Sequence, residues 1–458
     1  MAIVGAILLV LVLLVRPMEI MPEIGKVRPL EVLTATTTLA ILYEAANRRT
    51  KLGAPPQIPW LIAFVVWSFF VTMFRLGRAD GFRMTWLTVG FGAIFLTLIA
   101  FAAATPKRLV AMSFALTITL GVVAAIAVHQ GMQVRQCIEV VITPDEEEHF
   151  PDGRECEGRH GCERGGKENA DYECERVGLV GTISTGGRVR YRGQLGDPNE
   201  MSVFVGAGLP LVFLLGARRG RWWKVFFVAP IVAVSLWAVV LSQSRTGVLV
   251  IGAISLIALV RRFGWKGAVL AAAAIFPLML LGGREGAEAD SSSLERATIL
   301  YEGVDVVRAY PFLGVGVGQF VDAISIPMTA HNSYLLAAAE LGLMGLVLWG
   351  GMLWVSMKIA LAVTYQPPPG IDPELIRFAE ALVVSLVAIF VGIFFLSFCY
   401  KQLLFVWLGL AAALYRAVRA QAPSFKVETT RRDVVGLVVS SAVILIAIFV
   451  ISRVKGGG

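Results

Sequence analysis

The chain has 458 residues, 57% of them apolar and only 16% charged, against roughly 45–50% and about 25% in soluble globular domains. A mean hydropathy of +0.73 and recurring apolar runs of about 18 residues or more, each enough to cross a hydrocarbon core about 30 Å thick, exclude a soluble enzyme, a disordered chain and a coiled coil. They also exclude a membrane β-barrel, whose strands alternate apolar and polar residues. The pattern predicts an all-α polytopic membrane protein. The net charge of +8 needs no nucleic-acid partner, because basic residues gather in short loops between spans and no interleaved basic and aromatic stripe occurs.

Apolar spans are expected near 2–15, 30–46, 57–74, 84–104, 109–129, 200–217, 223–241, 247–260, 267–282, 333–361, 375–398, 402–418 and 434–452, about 12–13 in all. The first lacks a basic leader and a small-residue cleavage site, so it reads as a retained span. Arg48, Arg49, Lys51, Lys107, Arg108, Arg218, Arg219, Arg221, Lys224, Arg261, Arg262, Lys266, Arg416, Arg419, Lys426, Arg431 and Arg432 share one side, the cytoplasmic one by the positive-inside rule. Arg75, Arg78 and Arg83 fall on the other side, against that rule. Two long polar loops, about 130–199 and 283–332, share the outer face. The chain divides accordingly: a bundle at 1–129, a cysteine-containing acidic loop at 130–199, a core at 185–361 that includes the second loop, and C-terminal helices at 362–458.

The first outer loop holds Cys137, Cys156, Cys162 and Cys174, while Cys399 stands alone. An even set in an extracytoplasmic loop predicts two disulfides in one of three pairings. Zinc is the rival, with His149 and His160 nearby, but the spacings contain no CxxC element. The acidic run Asp145 to Glu148 reads as a solvated face rather than a calcium loop.

The candidate chemistry gathers at the same outer face. Arg188, Arg190 and Arg192 precede Asp197-Pro198-Asn199, and Ser244 and Arg245 lie in a tight turn between two spans. Arg296 leads to Pro311-Phe312-Leu313-Gly314-Val315-Gly316 and on to His331-Asn332. Taken singly, each has a bland reading: Arg245 can snorkel to headgroups, and Asp197-Pro198-Asn199 starts a helix in any protein. Together, several arginines at one membrane face fit an anionic, lipid-linked diphosphate, since a guanidinium is a fixed fork of donors that keeps its charge. The glycines at 314 and 316 permit close approach to such a ligand. His331, at the start of a long helix that Asn332 can cap, fits a neutral general base toward a sugar hydroxyl. Glu340, about 13 Å into that helix, is either functional or hydrogen-bonded to a neighbouring helix. Gly342, Gly345, Gly350 and Gly351 are expected to allow close helix contact.

His331-Asn332, nine residues, Gly342, two residues, Gly345 resembles the histidine motif of bacterial O-antigen ligases, whose superfamily also includes O-antigen polymerases. Gln243-Ser244-Arg245-Thr246-Gly247, the Asp197-Pro198-Asn199 turn and the Pro311–Gly316 segment are similar to the superfamily's other landmarks, in the same order. The resemblance covers about residues 185–350. It implies an inverting, metal-independent glycosyltransferase of GT-C type without a cofactor, in the bacterial inner membrane with its site facing the periplasm. The implied donor is a glycan on undecaprenyl diphosphate, and the implied acceptor is lipid A core or another surface acceptor. The implied roles are catalysis for His331 and Arg296, and diphosphate binding for Arg245 and one of Arg188, Arg190 and Arg192. Asp197, Asn199, Ser244, Gly314, Gly316, Asn332 and Glu340 would support them. A polymerase joining lipid-linked repeat units differs only in acceptor. A transporter of lipid-linked glycans is the rival of another class, but it calls for polar or broken helices at the bilayer midplane.

Overall fold

The computed structural model describes residues 1–47, 53–142, 147–167, 170–216, 220–281 and 287–456. Arg48, Arg49, Lys51, Asp145, Glu146, Arg218 and Arg219 lie outside the described residues. The chain is a helical membrane protein. In chain order the long helices are α1 (Ala2–Val15), α2 (Pro29–Ala46), α3 (Gln57–Leu76), α4 (Arg78–Ala102, with a π turn at Trp86–Gly90) and α5 (Pro106–Gly131). After the first outer loop come α6 (Pro198–Gly216), α7 (Lys224–Leu241), α8 (Arg245–Phe263) and α9 (Trp265–Leu281). The remainder are α10 (Ala287–Ala309), α11 (Ser333–Tyr365), α12 (Pro373–Gly392), α13 (Gln402–Gln421) and α14 (Arg431–Gly456).

Among the described residues, nine helices are long and apolar enough to cross a membrane, and shorter apolar helices occur at Ala2–Val15, Pro198–Leu214 and Trp265–Ile275. The remaining expected span, α2, is 18 residues long and rich in threonine, with Glu31 and Glu44 at its ends. Helix α13 is the centre of the bundle, buried along nearly its whole length, whereas α14 is mostly exposed on its apolar flanks. This is the burial expected of a membrane bundle, where lipid solvates the peripheral helices as well as protein would.

The helix ends sort into two faces. Tyr191 reaches the carbonyl of Val15 at the end of α1, and Gln130 at the end of α5 accepts from the backbone of Arg190. Val189 donates to Leu241 at the end of α7, and Ser333 at the start of α11 donates to Ile393 just past α12. These ends share the face of His331. At the opposite face Arg108, at the start of α5, pairs with Glu44 at the end of α2, and Lys358, near the end of α11, pairs with Asp433 at the start of α14.

Two departures from the sequence reading lie on the His331 face. The first loop is not irregular: strands β1 (Arg135–Ile142), β2 (Glu147–Glu155) and β3 (Asp171–Arg176) form an antiparallel sheet in the order β2-β1-β3. Cys137 is bonded to Cys162 and Cys156 to Cys174. Across that sheet Cys137 and Cys174 stand opposite each other in register, yet each bonds elsewhere. The second loop contains the 23-residue helix α10, which packs on α11 and α14. Arg308 stacks on Phe449, and Arg453 stacks on Tyr301.

Candidate active site

Three helix starts and one helix break make the site. Asp197 accepts from the backbone N–H of Asn199 (2.7 Å) and Glu200 (3.2 Å), so it caps α6. Ser244 caps α8 through the N–H of Gly247 (3.0 Å). Arg188 ties these two starts together. It is buried, with Nε donating to the carbonyl of Ser242 and Nη2 donating to Oδ1 of Asn199, both at 2.8 Å. Arg245, exposed, follows directly after the Ser244 cap. Arg190 donates to the carbonyl of Ile183, and Arg192 donates to those of Glu19, Val180 and Gly181. The three first-loop arginines are thus all engaged with protein, and of the three Arg188 is the one attached to both the Asp197 turn and the Ser244 turn.

The third start is α11. Asn332 accepts from Leu335 N–H (2.9 Å) and donates to the carbonyl of Phe394 (2.7 Å). Ser333 donates to the carbonyl of Leu396 and accepts from Phe398 N–H. The stretch after α12 therefore holds the residues that follow His331, and nothing in the local sequence of 393–398 announced this. His331 itself is a non-glycine residue at φ 48°, a conformation costing about 1–2 kcal/mol for an L residue. Such strain persists only where surrounding contacts enforce it, and it clusters at functional sites. The Nε2 atom of His331 is buried without a hydrogen-bond partner among the described residues.

Charge from two other segments reaches this ring. Burial, and then the cation of Arg296 on α10, push the imidazole down to about 4, and the carboxylate of Asp197 opposes them. His331 is consequently neutral at pH 7, with one positive and one negative neighbour from segments 35 and 134 residues earlier in the sequence. The fold thus brings Asp197, Arg296 and His331 together.

The break lies within α11. Gly342, at φ 71° and ψ −179°, interrupts the helix, and the Pro311–Leu313 segment fills the gap. A β-carbon at Gly342 would overlap the carbonyl of Phe312, and one at Gly314 (φ 63°) would overlap the backbone of Glu340. Backbone groups freed by the break find partners. Val315 N–H donates to Ala339 O (2.9 Å), Gly316 N–H donates to Glu340 O (2.8 Å), and Leu343 N–H donates to Pro311 O (2.9 Å). Trp67 of α3 donates its indole N–H to Leu341 O (2.8 Å). Glu340 is buried and accepts from Gly318 N–H (2.9 Å) and Phe320 N–H (3.3 Å).

Gly342 is therefore a docking point for a loop, not the helix contact expected from the sequence. Gly345 faces Leu341 of its own helix across the break, and Gly350 faces little, whereas Gly351 does meet the ring of Trp60 on α3. The out-of-rule Arg75 also acquires a reason. Its Nε donates to Gly314 O (2.9 Å), and its guanidinium stacks on Tyr310 at 4.8 Å. Thr72 accepts from Val317 N–H (3.1 Å). Trp67, Thr72 and Arg75 come from α3, far outside the 185–350 stretch, and sequence reading assigned none of them to the site.

No curated protein matches the chain. The O-antigen ligase family model matches residues 230–350, a stretch holding Arg245, Arg296, Gly314, His331 and the Gly342 break, and this match supports the O-antigen ligase and polymerase superfamily.

Proposed function

We propose that the chain transfers a glycan from undecaprenyl diphosphate to an acceptor, lipid A core or another surface glycan, at the periplasmic face of the bacterial inner membrane. The observation that carries this reading is His331: neutral, strained in the left-handed region, half-buried beside Arg296, and inside the stretch that the O-antigen ligase family model matches. The basic residues at the face opposite His331 support a periplasmic orientation.

In this mechanism a ring nitrogen of His331 takes the proton of the acceptor hydroxyl. The hydroxyl oxygen forms a bond to the anomeric carbon while the bond from that carbon to the diphosphate oxygen breaks, inverting the centre. The electron pair leaves on the diphosphate, whose growing charge Arg296 and Arg245 stabilise without reorganisation. The arginines supply the positive charge, and the reading needs neither a metal ion nor a cofactor. Asp197 tunes the field at His331, and Arg188, Asn199 and Ser244 fix the two turns that present it. The proposed site draws on α3 and on residues 393–398 as well as on the 185–361 core.

Deleting the protein in its host and resolving the surface glycans tests the reading. Loss of polymer from lipid A core with accumulation of lipid-linked chains supports the ligase, whereas single repeat units still attached support the polymerase. Unchanged glycans overturn both. Restoring Arg296→Lys or His331→Ala should give normal insertion but poor transfer, by about 10²–10³ for the loss of one oxyanion-type contact and about 10²–10⁴ for loss of the base. Near-parental transfer by His331→Ala at equal protein level removes the base assignment.

A further inference from the structure

On the face away from His331, α1, α5, the end of α6, the segment before α7 and the start of α12 enclose a groove of about 800 Å³. Its walls are apolar, with Leu11, Phe114, Ile118 and Leu214 among them, and its charges sit at one end only: Lys107, Glu374 and Arg377. Lys107 opens α5, and Glu374 and Arg377 belong to the first turns of α12, so that end lies at the level of the Arg108–Glu44 ion pair. Trp223 lines the groove, and its neighbour Trp222 is 72% exposed, the usual placement of tryptophan at a membrane–water interface.

The depth fits one leaflet. From Lys107 to Ile118 along α5 is about 16 Å at 1.5 Å per residue, close to half of a hydrocarbon core about 30 Å thick. Two cations and one carboxylate leave the mouth with one net positive charge. Among the described residues neither Lys107 nor Arg377 forms an ion pair or a side-chain hydrogen bond. Arginine and lysine at headgroup level attract anionic lipid.

We propose that this groove is a binding site for an anionic glycerophospholipid, with the phosphate between Lys107 and Arg377 and an acyl chain along α5. The lipid wedges α1 against α5 and α6, remote from the reacting face, so the inference is independent of the function proposed above. Purified, delipidated full-length protein in detergent provides the test, read by thermal unfolding and by lipid retained in native mass spectra. Dioleoyl-phosphatidylglycerol should raise the unfolding midpoint in a concentration-dependent way, while dioleoyl-phosphatidylcholine and glycerol 3-phosphate should not. Lys107→Ala with Arg377→Ala should lose the shift and the retained lipid. Ala111→Trp, which fills the groove without changing its charge, should lose them as well. An equal shift with phosphatidylcholine, a shift with glycerol 3-phosphate alone, or a phosphatidylglycerol shift that survives the charge variants overturns the proposal.

Discussion

The Pro311–Ser333 segment and the cysteine insert of β1–β3 stand on the same face of the membrane, yet they are held by opposite means. The insert holds itself except at one junction, where Glu175 and Arg176 at the end of β3 bond Ser184 and Gly187. It has its own sheet, two disulfides and a small buried cluster of Cys137, Cys162 and Tyr172 separate from the core of the bundle. The Pro311–Ser333 segment has almost no regular structure, and its partners come from elsewhere: Thr72 and Arg75 on α3, Glu340 inside α11, and the carbonyls of Phe394 and Leu396. A self-sufficient appendage can vary without disturbing the bundle. A segment whose shape is written by three distant parts of the chain moves only if the bundle moves, which is what a reacting centre requires, since a displacement of 1 Å can cost about 10² in rate.

Gly342→Ala should break the contrast most severely. A methyl group there collides with backbone rather than with a flexible side chain, and φ 71° is strained for alanine whatever the space. The Pro311–Gly316 segment must lift off, taking with it the turn that leads to His331. We expect the protein to insert and transfer to fall by about 10² or more, measured as glycan transfer at matched membrane levels. Gly350→Ala, where a β-carbon would make only an ordinary contact with Leu437 at 3.8 Å, should behave like the parent. Parental transfer by Gly342→Ala shows that the docked loop does not position the site.

The field around His331 gives a smaller, signed effect. Because its imidazole is pushed down to about 4 from an ordinary value near 6.5, the ring stays neutral as pH falls through 6.5 and is protonated only near 4. The acid limb of kcat/KM, which reports the free enzyme, should therefore lie near pH 4. Asp197→Asn keeps a competent helix cap but removes the charge that favours imidazolium, so the limb moves to lower pH. Arg296→Gln removes the charge that disfavours imidazolium, so the limb moves up, on top of its loss of rate. A limb near 6.5 that ignores both substitutions places His331 outside the proton transfer.

How much of this was legible in the sequence follows from the range of each interaction. Helices set by runs of apolar residues were readable, and so were landmarks whose spacing is local, such as His331-Asn332 with Gly342 and Gly345. The role of Gly342 was not, because a glycine that breaks a helix and one that admits a neighbouring helix look alike until the partner is known. Here that partner, Phe312, is 30 residues earlier. Arg75 showed only as an exception to the positive-inside rule, since its acceptor Gly314 is 239 residues away. The short strands of the insert escaped because β1 offers only eight residues, and α10 escaped because its polar sequence reads like loop.

The smallest effect should come from the insert. Removing Cys137–Cys162 by double alanine substitution opens a loop closed across a separation of 25 residues, and losing a native disulfide from a small domain typically costs about 2–5 kcal/mol. That cost should stay in the insert, because its cluster does not merge with the core that supports His331 and well-separated sites act nearly independently. Limited proteolysis of membranes should therefore cut the variant between residues 135 and 176 while the helices remain intact. Glycan transfer should change by less than about threefold. The two readouts diverge only if the insert is an appendage. If transfer falls with proteolytic protection, by as much as in Gly342→Ala, then the sheet contacts the acceptor or holds the donor, and the division between a self-sufficient insert and a bundle-dependent site is wrong.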